Sequence, residues 1–196
     1  MGRTRDVSKI LTSNTSILSL ASASTTYAPV AAGGLVLLNT TTIGSAVSSA
    51  SISDVFSATY TNYRVIVKPN AYSTSDVLKM RFRVSGTDNT SSNYRYGGTS
   101  FHTSFDPYYD ANYGTTSIVL HRYGRANGTH LVMDIMSPFE TNYTTLTSTS
   151  AEVGTGPRLN NLAGGFLSTT SFTGFTIFPD GGTITGGTIK VYGYKD

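Results

Sequence analysis

The chain has 196 residues, no cysteine and a formal net charge of +3 at neutral pH. This length suits one well-cored domain plus an appendage, and the lack of cysteine excludes disulfides, thiolate metal sites and cysteine nucleophiles. Serine and threonine occupy 56 positions, whereas glutamate and lysine number only two and five. Because Thr favours strands while Glu and Lys are common on helix surfaces, the composition predicts a β protein.

Residues 1–33 differ from the rest and are predicted to form an N-terminal arm that ends at the hinge-like pair Gly33-Gly34. The segment is too polar to build a core, so a partner has to offset the entropy lost when it becomes ordered. We expect a partner to clamp the arm; the alternative is a floppy tail. The predicted contacts are three cations and four apolar residues: Arg3, Arg5, Lys9, Ile10, Leu11, Ile17 and Leu18.

From residue 34 onward the chain predicts a series of short strands. In Leu78 to Val84, four apolar side chains alternate with three cations, the period of a strand with one buried face. Strands are predicted near 35–38, 51–56, 63–67, 77–85, 94–97, 115–122, 130–136, 144–153, 165–171, 175–178 and 188–194. Turns are predicted between them at Gly86-Thr-Asp88-Asn89, Gly124 to Gly128, Pro179-Asp-Gly-Gly182 and Gly186-Gly187. Together they predict an all-β domain over 34–196, an antiparallel β-sandwich of jelly-roll-like form.

The segment from Phe101 to Tyr113 is predicted to be an irregular loop that contacts a ligand or a neighbouring subunit. Tyrosines beside acids can stack on sugar rings and hydrogen-bond their hydroxyls, or pack against protein with little loss of entropy. The alternative is that the aromatic rings fold back over the end of the sandwich. The acids also offer a weak Ca²⁺ pattern, which departs from EF-hand spacing. The candidate contact residues are Asp106, Tyr108, Tyr109, Asp110 and Tyr113.

The motifs favour a non-enzymatic protein with no catalytic residues, cofactor or metal site. No serine lies in a G-x-S-x-G elbow, and the three histidines lack metal-ligand spacing. His121 and His130 are predicted to lie at strand ends beside a hairpin. The two glutamates, Glu140 and Glu152, could form a glycosidase pair only if the fold brought two acids within about 5–10 Å of each other.

Three further expectations concern partners and location. Lys and Arg are scattered, which argues against nucleic-acid binding. No stretch approaches the roughly 20 apolar residues of a membrane span. The N-terminal residues lack the pattern of a secretory signal. We therefore expect a protein that acts where it is made or assembled.

Two stretches resemble structural proteins of tailed bacteriophages, especially those of cyanobacteria and other marine bacteria. The first is Gly2-Arg-Thr-Arg-Asp-Val-Ser-Lys-Ile-Leu-Thr-Ser-Asn-Thr-Ser16. The second, Gly182-Thr-Ile-Thr-Gly-Gly-Thr-Ile-Lys-Val-Tyr-Gly-Tyr194, is similar to the last hairpin of the jelly-roll domains in such proteins. Together they cover under a fifth of the chain.

The resemblance implies a virion protein, assembled in the host cytoplasm and often trimeric. The size favours a capsid decoration or cement protein whose arm anchors it to the major capsid protein or neighbouring subunits and stabilises the shell. One alternative is a tail-fibre or receptor-binding head whose arm attaches to a tail component. Another is a carbohydrate-binding module that recognises a host-surface glycan.

Overall fold

The computed structural model describes residues 34–74, 76–102, 105–124, 129–153 and 157–195. In these ranges the protein is all-β, with no helix of the length and apolarity needed to cross a membrane. The strands lie in one compact unit, Leu35–Asp196. They are β1 (Gly34–Thr42), β2 (Ala50–Ile52), β3 (Asn62–Tyr72), β4 (Asp76–Val84), β5 (Thr87–Asp88), β6 (Tyr94–His102), β7 (Phe105–Thr115), β8 (Ile118–Gly124), β9 (His130–Met136), β10 (Thr144–Glu152), β11 (Arg158–Phe166), β12 (Gly174–Pro179) and β13 (Ile184–Lys195).

The strands form two antiparallel sheets. The larger sheet has the order β1-β13-β3-β9-β10-β11-β6-β7, and the smaller sheet has the order β2-β12-β4-β5, with β8 also pairing with β4. Within them, β1-β13-β3-β9 and β2-β12-β4-β8 are two four-stranded halves with the double Greek-key connectivity of a jelly roll. The predicted antiparallel, jelly-roll-like sandwich is therefore confirmed. Strands β10, β11, β6 and β7 extend the larger sheet beyond this framework.

Strand β4 shows how alternation builds the core. Leu78, Met80 and Phe82 are almost fully buried between the sheets. The intervening cations face outward and are engaged within the molecule: Lys79 pairs with Asp180, Arg83 pairs with Asp88, and the Arg81 guanidinium lies 4.7 Å from the Phe178 ring centroid. The fourth apolar residue, Val84, is exposed where the strand ends. The period-two pattern thus separates a dry face from a charged one, as predicted.

An aromatic cluster fills one end of the sandwich. Phe82 stacks on Phe172 with ring centroids 4.7 Å apart, and Phe166 meets Tyr94 edge-on at 4.8 Å. The Tyr94 hydroxyl donates to the Asn89 carbonyl and accepts from the Phe82 amide, at 2.9 and 3.0 Å. Burial raises the pKa of Tyr94 well above its usual value, so the phenol stays protonated.

Strands β7 and β11 depart furthest from the sequence expectation, and the two-residue β5 lies at Thr87–Asp88, where a turn is expected. β7 occupies the segment predicted to be a loop, because an edge strand tolerates the Pro, Asp and Gly that argued for a loop. β11 was expected at 165–171 but spans Arg158–Phe166. Its Asn-Asn and Gly-Gly pairs hide the alternation of apolar residues.

The predicted turn at Gly186-Gly187 lies inside β13 instead. The register passes from Thr185 opposite Ala71 to Gly187 opposite Pro69, with positive φ at both glycines. A Cβ at Gly187 would lie 2.0 Å from the Lys68 carbonyl oxygen, so a larger residue would displace the backbone. The pair therefore lies within the strand, with the same register against β3 on both sides of it, and does not form the predicted turn.

Candidate functional site

The predicted contact residues of β7 divide between the two faces of the larger sheet. Tyr109 and Tyr113 lie four residues apart, are 73% and 74% exposed, and lie on the outer face. Asp110 is instead largely buried and accepts hydrogen bonds from Arg122 and from the Asn112 amide. The expectation that Asp110 shares a surface with the tyrosines is therefore wrong, since neighbouring residues of a strand point to opposite faces.

The remaining predicted contacts lie outside what the structure describes. The side chains of Asp106 and Tyr108 are not described, although their backbones belong to β7. The seven arm contacts also fall outside the described residues: Arg3, Arg5, Lys9, Ile10, Leu11, Ile17 and Leu18. For these positions the roles stay predictions.

A groove of about 360 Å³ crosses the outer face of the larger sheet near β7. Two rows of outward-facing residues line it, the first running across β7, β6, β11 and β10 and the second across β7, β6 and β11. The first row comprises Tyr113, Arg95, Gly165 and Thr145, and the second comprises Ala111, Gly97 and Ala163. Tyr143, just before β10, also lines the groove.

The floor of the groove is low because its residues are small. Gly165 has no room for a side chain, since a Cβ there would lie 2.5 Å from the Thr144 carbonyl oxygen. At Gly97 a Cβ would lie 3.4 Å from the Asp110 carbonyl oxygen. Ala163 lies opposite Gly97 and two residues before Gly165 on β11. These three small residues leave space that larger outward-facing residues would fill.

The aromatic walls and one cation define the chemistry of this groove. Tyr113 lies on one side, with the Arg95 guanidinium carbon 5.5 Å from its ring centroid, a cation–π contact. Tyr143, 55% exposed, lines the groove from the segment before β10. The sequence pattern indicates Tyr113 as a contact residue but not Tyr143 or Arg95, because only strand register brings these three residues together.

A second depression lies at the opposite end of the same outer face. Its volume is about 390 Å³ and its lining includes Phe101, Ala151, Val153 and Leu159. Phe101 pairs with Leu159, and Leu159 with Ala151, in register across three strands. Together the two depressions place exposed apolar surface at both ends of strands β10, β11 and β6.

Among the strands that the structure describes, β1 forms one edge of the larger sheet, and it carries exposed apolar side chains. Leu35 and Leu37 are 41% and 52% exposed, and Val36 between them is also exposed. Edge strands of stable monomers usually carry charges, prolines or bulges that prevent pairing with other chains. The sequence of β1, Gly-Leu-Val-Leu-Leu-Asn-Thr-Thr-Thr, contains no charged residue and no proline.

A buried polar cluster lies between the sheets around His121. Its Nδ1 lies 2.6 Å from Ser150 Oγ and 3.0 Å from Asn160 Nδ2, and its Nε2 lies 3.8 Å from Glu152 Oε2. All four side chains are nearly or fully buried. Because the Asn160 amide nitrogen can only donate, Nδ1 accepts in the hydrogen bond between these two side chains. His130 begins β9 as predicted, but the expectation that His121 ends a strand is wrong: it lies within β8.

The cluster contains the residue types of a Ser–His–acid triad but lacks access for a substrate. Ser150 is 1% exposed, so a substrate carbonyl cannot reach its hydroxyl in this structure. The cluster therefore serves to join β8, β10 and β11 in the interior. In the described part of the chain no group of three or more His, Asp or Glu residues could hold a metal ion.

A second polar cluster lies on the outer face of the larger sheet. Arg64 donates from Nε and Nη2 to the two carboxylate oxygens of Asp134, at 2.8 and 2.7 Å. The Tyr194 hydroxyl donates to Asp134 Oδ1 at 2.6 Å. The hydrogen bonds from Arg64, followed by the one from Tyr194, hold the pKa of Asp134 below its usual value. This arrangement links β3, β9 and β13.

We expect Asp134→Asn to lower the free energy of unfolding by about 1 kcal/mol at pH 7, a modest effect because the pair is partly exposed. A depressed carboxyl pKa stabilises the fold above the unfolded value, about 3.9, and that stabilisation is lost as the pH falls through the folded value. The difference between the proteins should therefore shrink below about pH 4. Urea denaturation from pH 7 to pH 2.5 measures it. Glu140→Gln, at an exposed carboxylate, is the control, and a pH-independent difference would contradict the assignment.

The strand topology defines the class of protein as an antiparallel jelly-roll-like β-sandwich whose larger sheet is extended by four strands and bears a tyrosine-walled groove. Comparison of the chain with protein-family models, with curated proteins and with solved structures found no match.

Proposed function

We propose that this chain is a structural protein of a tailed-phage virion, a capsid decoration or cement protein whose segment 1–33 anchors it to the major capsid protein and to neighbouring copies. The observation that carries the proposal is strand β1, an exposed apolar edge that directly follows that segment. Such an edge favours a permanent partner, because a strand that pairs with no further strand among the described residues leaves backbone groups and apolar side chains in water.

Three further features support an assembly role. The two depressions on the larger sheet provide additional apolar surface that neighbouring subunits can contact. The interior position of the His121 cluster favours a structural use of its polar side chains. The resemblance of residues 2–16 and 182–194 to tailed-phage structural proteins supports virion membership, and such proteins are often trimers.

A second candidate function is a receptor-binding head on a tail fibre or a carbohydrate-binding module. The groove between Tyr113 and Tyr143 favours it, because exposed aromatic rings beside a flat floor suit a sugar. The two functions differ in what residues 1–33 contact: capsid subunits in the first, a tail component in the second.

Deletion of residues 1–33 tests the anchoring role. We expect the remaining body to unfold cooperatively, since it retains both sheets and the core, but to lose loading onto particles that lack this protein. Co-sedimentation with such particles measures loading, and thermal unfolding checks the fold. Unimpaired loading of the truncated protein would refute the proposal.

Substitution in β1 tests the edge independently of the deletion. Leu37→Lys places a charge among the exposed apolar residues and should reduce both self-association and loading by tenfold or more. Thr40→Lys, at an exposed polar position of the same strand, is the matched control and should load normally. Sedimentation equilibrium gives the oligomeric state. Normal self-association and normal loading of Leu37→Lys would show that β1 is not an interface.

A further inference from the structure

We propose that the groove between Tyr113 and Tyr143 binds an acidic saccharide, with a sugar ring on the tyrosine-walled floor and its carboxylate or sulfate on Arg95. The proposal goes beyond anchoring and stands independently of segment 1–33. It assigns a ligand class to one surface of the larger sheet.

The shape of the groove suits a flat ring. Its floor is formed by Gly97, Ala163 and Gly165, so a ring can approach the sheet closely. Tyr113 on β7 and Tyr143 beside β10 are three strands apart, on the order of 14 Å at about 4.8 Å per strand. A volume of about 360 Å³ lies at the small end of ligand sites, which suits one or two sugar units and not a folded partner.

The aromatic walls favour a ligand with both apolar and polar surfaces. Tyr113 and Tyr143 are large, exposed side chains that offer an apolar ring and a hydroxyl. A pyranose presents C–H groups on its face and hydroxyls at its rim, matching a tyrosine ring and its hydroxyl. Thr145, exposed in the first row of the groove, adds a hydroxyl that can donate or accept.

Charge selects an anionic saccharide over a neutral one. Arg95 is the one charged residue among those described as lining the groove, and no carboxylate lies among them. Its guanidinium is held against the Tyr113 ring, which leaves its N–H groups able to donate to a carboxylate or sulfate in a two-pronged contact. A single cation is too little for a nucleic-acid backbone, which needs several phosphate contacts.

The binding test uses the full-length protein on an array of neutral, carboxylated and sulfated glycans, followed by calorimetric titration of the best ligand. We expect selective binding of acidic glycans. Tyr113→Ala and Tyr143→Ala should each weaken binding at least tenfold. Arg95→Gln should remove the preference for acidic over neutral glycans.

Tyr109→Ala is the matched control, because Tyr109 is as exposed as Tyr113 and shares its face but does not line the groove. It should bind like the unmodified protein. Ala163→Leu fills the floor while keeping both tyrosines and should also abolish binding. Thermal unfolding verifies that each variant is folded.

Three results would overturn the proposal. The first is that no acidic glycan binds at millimolar concentration, and the second is that Tyr109→Ala and Tyr113→Ala lose equal amounts of glycan affinity. The third is that a groove substitution changes the oligomeric state instead, which would assign the groove to a second copy of the chain. Particle loading separates this proposal from the anchoring function: the groove variants should load normally, and the protein lacking residues 1–33 should still bind glycan.

Discussion

Phe82→Ala should lower the free energy of unfolding by about 3–5 kcal/mol, the range for removing a large aromatic side chain from a core. Phe82 is fully buried and stacks between Phe172 and Tyr94, with centroids at 4.7 and 6.1 Å. The loss includes the apolar contact area, both ring contacts and the cavity left behind. The rigid backbone of β4, paired with β12 on one side, limits how far the cavity can close.

Chemical denaturation and thermal unfolding measure this effect. For a domain of this size, such a loss corresponds to a fall in melting temperature on the order of 10 °C. Phe101→Ala is the matched control, because Phe101 is 44% exposed on the outer face and should cost much less. If the two substitutions proved equally destabilising, Phe82 would not lie at the centre of the core.

His121→Ala should be the most damaging change among the buried polar residues, costing about 3 kcal/mol or more. Removing the imidazole takes away the partner of both Ser150 Oγ and Asn160 Nδ2. Each buried polar group left unpaired costs about 1–3 kcal/mol, and the vacated ring volume adds a cavity. The loss should appear mainly as weaker association of β8 with β10 and β11.

His130→Ala provides the comparison, since His130 is exposed at the start of β9 and its removal should change stability by about 0.5 kcal/mol or less. Hydrogen exchange of the β10 and β11 amides would locate the damage. Should His121→Ala match His130→Ala, the cluster would have no structural role. Ser150 would then need to be reconsidered as part of a functional site.

The two predictions concern parts of the protein that the sequence revealed to very different degrees. Alternation alone marked Leu78, Met80 and Phe82 as one buried face, because a strand has a period of two wherever it lies. It also gave β9 with its observed bounds. These are local patterns, and the side-chain direction they predict does not depend on which strand lies next.

The His121 cluster had no comparable local pattern. Ser150 and Asn160 are 29 and 39 positions from His121 and join it from separate strands of the opposite sheet. Ser150 and Asn160 also occur in segments rich in Ser, Thr and Asn, where one polar residue is not distinguished from the next. The burial of these particular side chains depends on strand register, which is set by pairing across the whole sheet.

The groove is predictable from the sequence in part, less than the buried face of β4 and more than the His121 cluster. The aromatic composition of Phe101 to Tyr113 predicts a contact surface, but the same residues predict a loop, and they place Asp110 on one surface with the tyrosines. As an edge strand, β7 turns Tyr109 and Tyr113 outward and Asp110 inward toward Arg122. Tyr143 and Arg95 joined Tyr113 only through the pairing of β7, β6, β11 and β10.

For this protein, the sequence by itself determined the β class, the faces of the most regular strands and the jelly-roll-like sandwich, because composition and alternation are carried by neighbouring residues. Tertiary structure alone decided the extension of the larger sheet, the burial of Ser150 beside His121 and the meeting of Tyr113, Arg95 and Tyr143 around a floor of small residues. These arrangements depend on contacts between distant strands, whose register is fixed by burying one whole face of each strand at once.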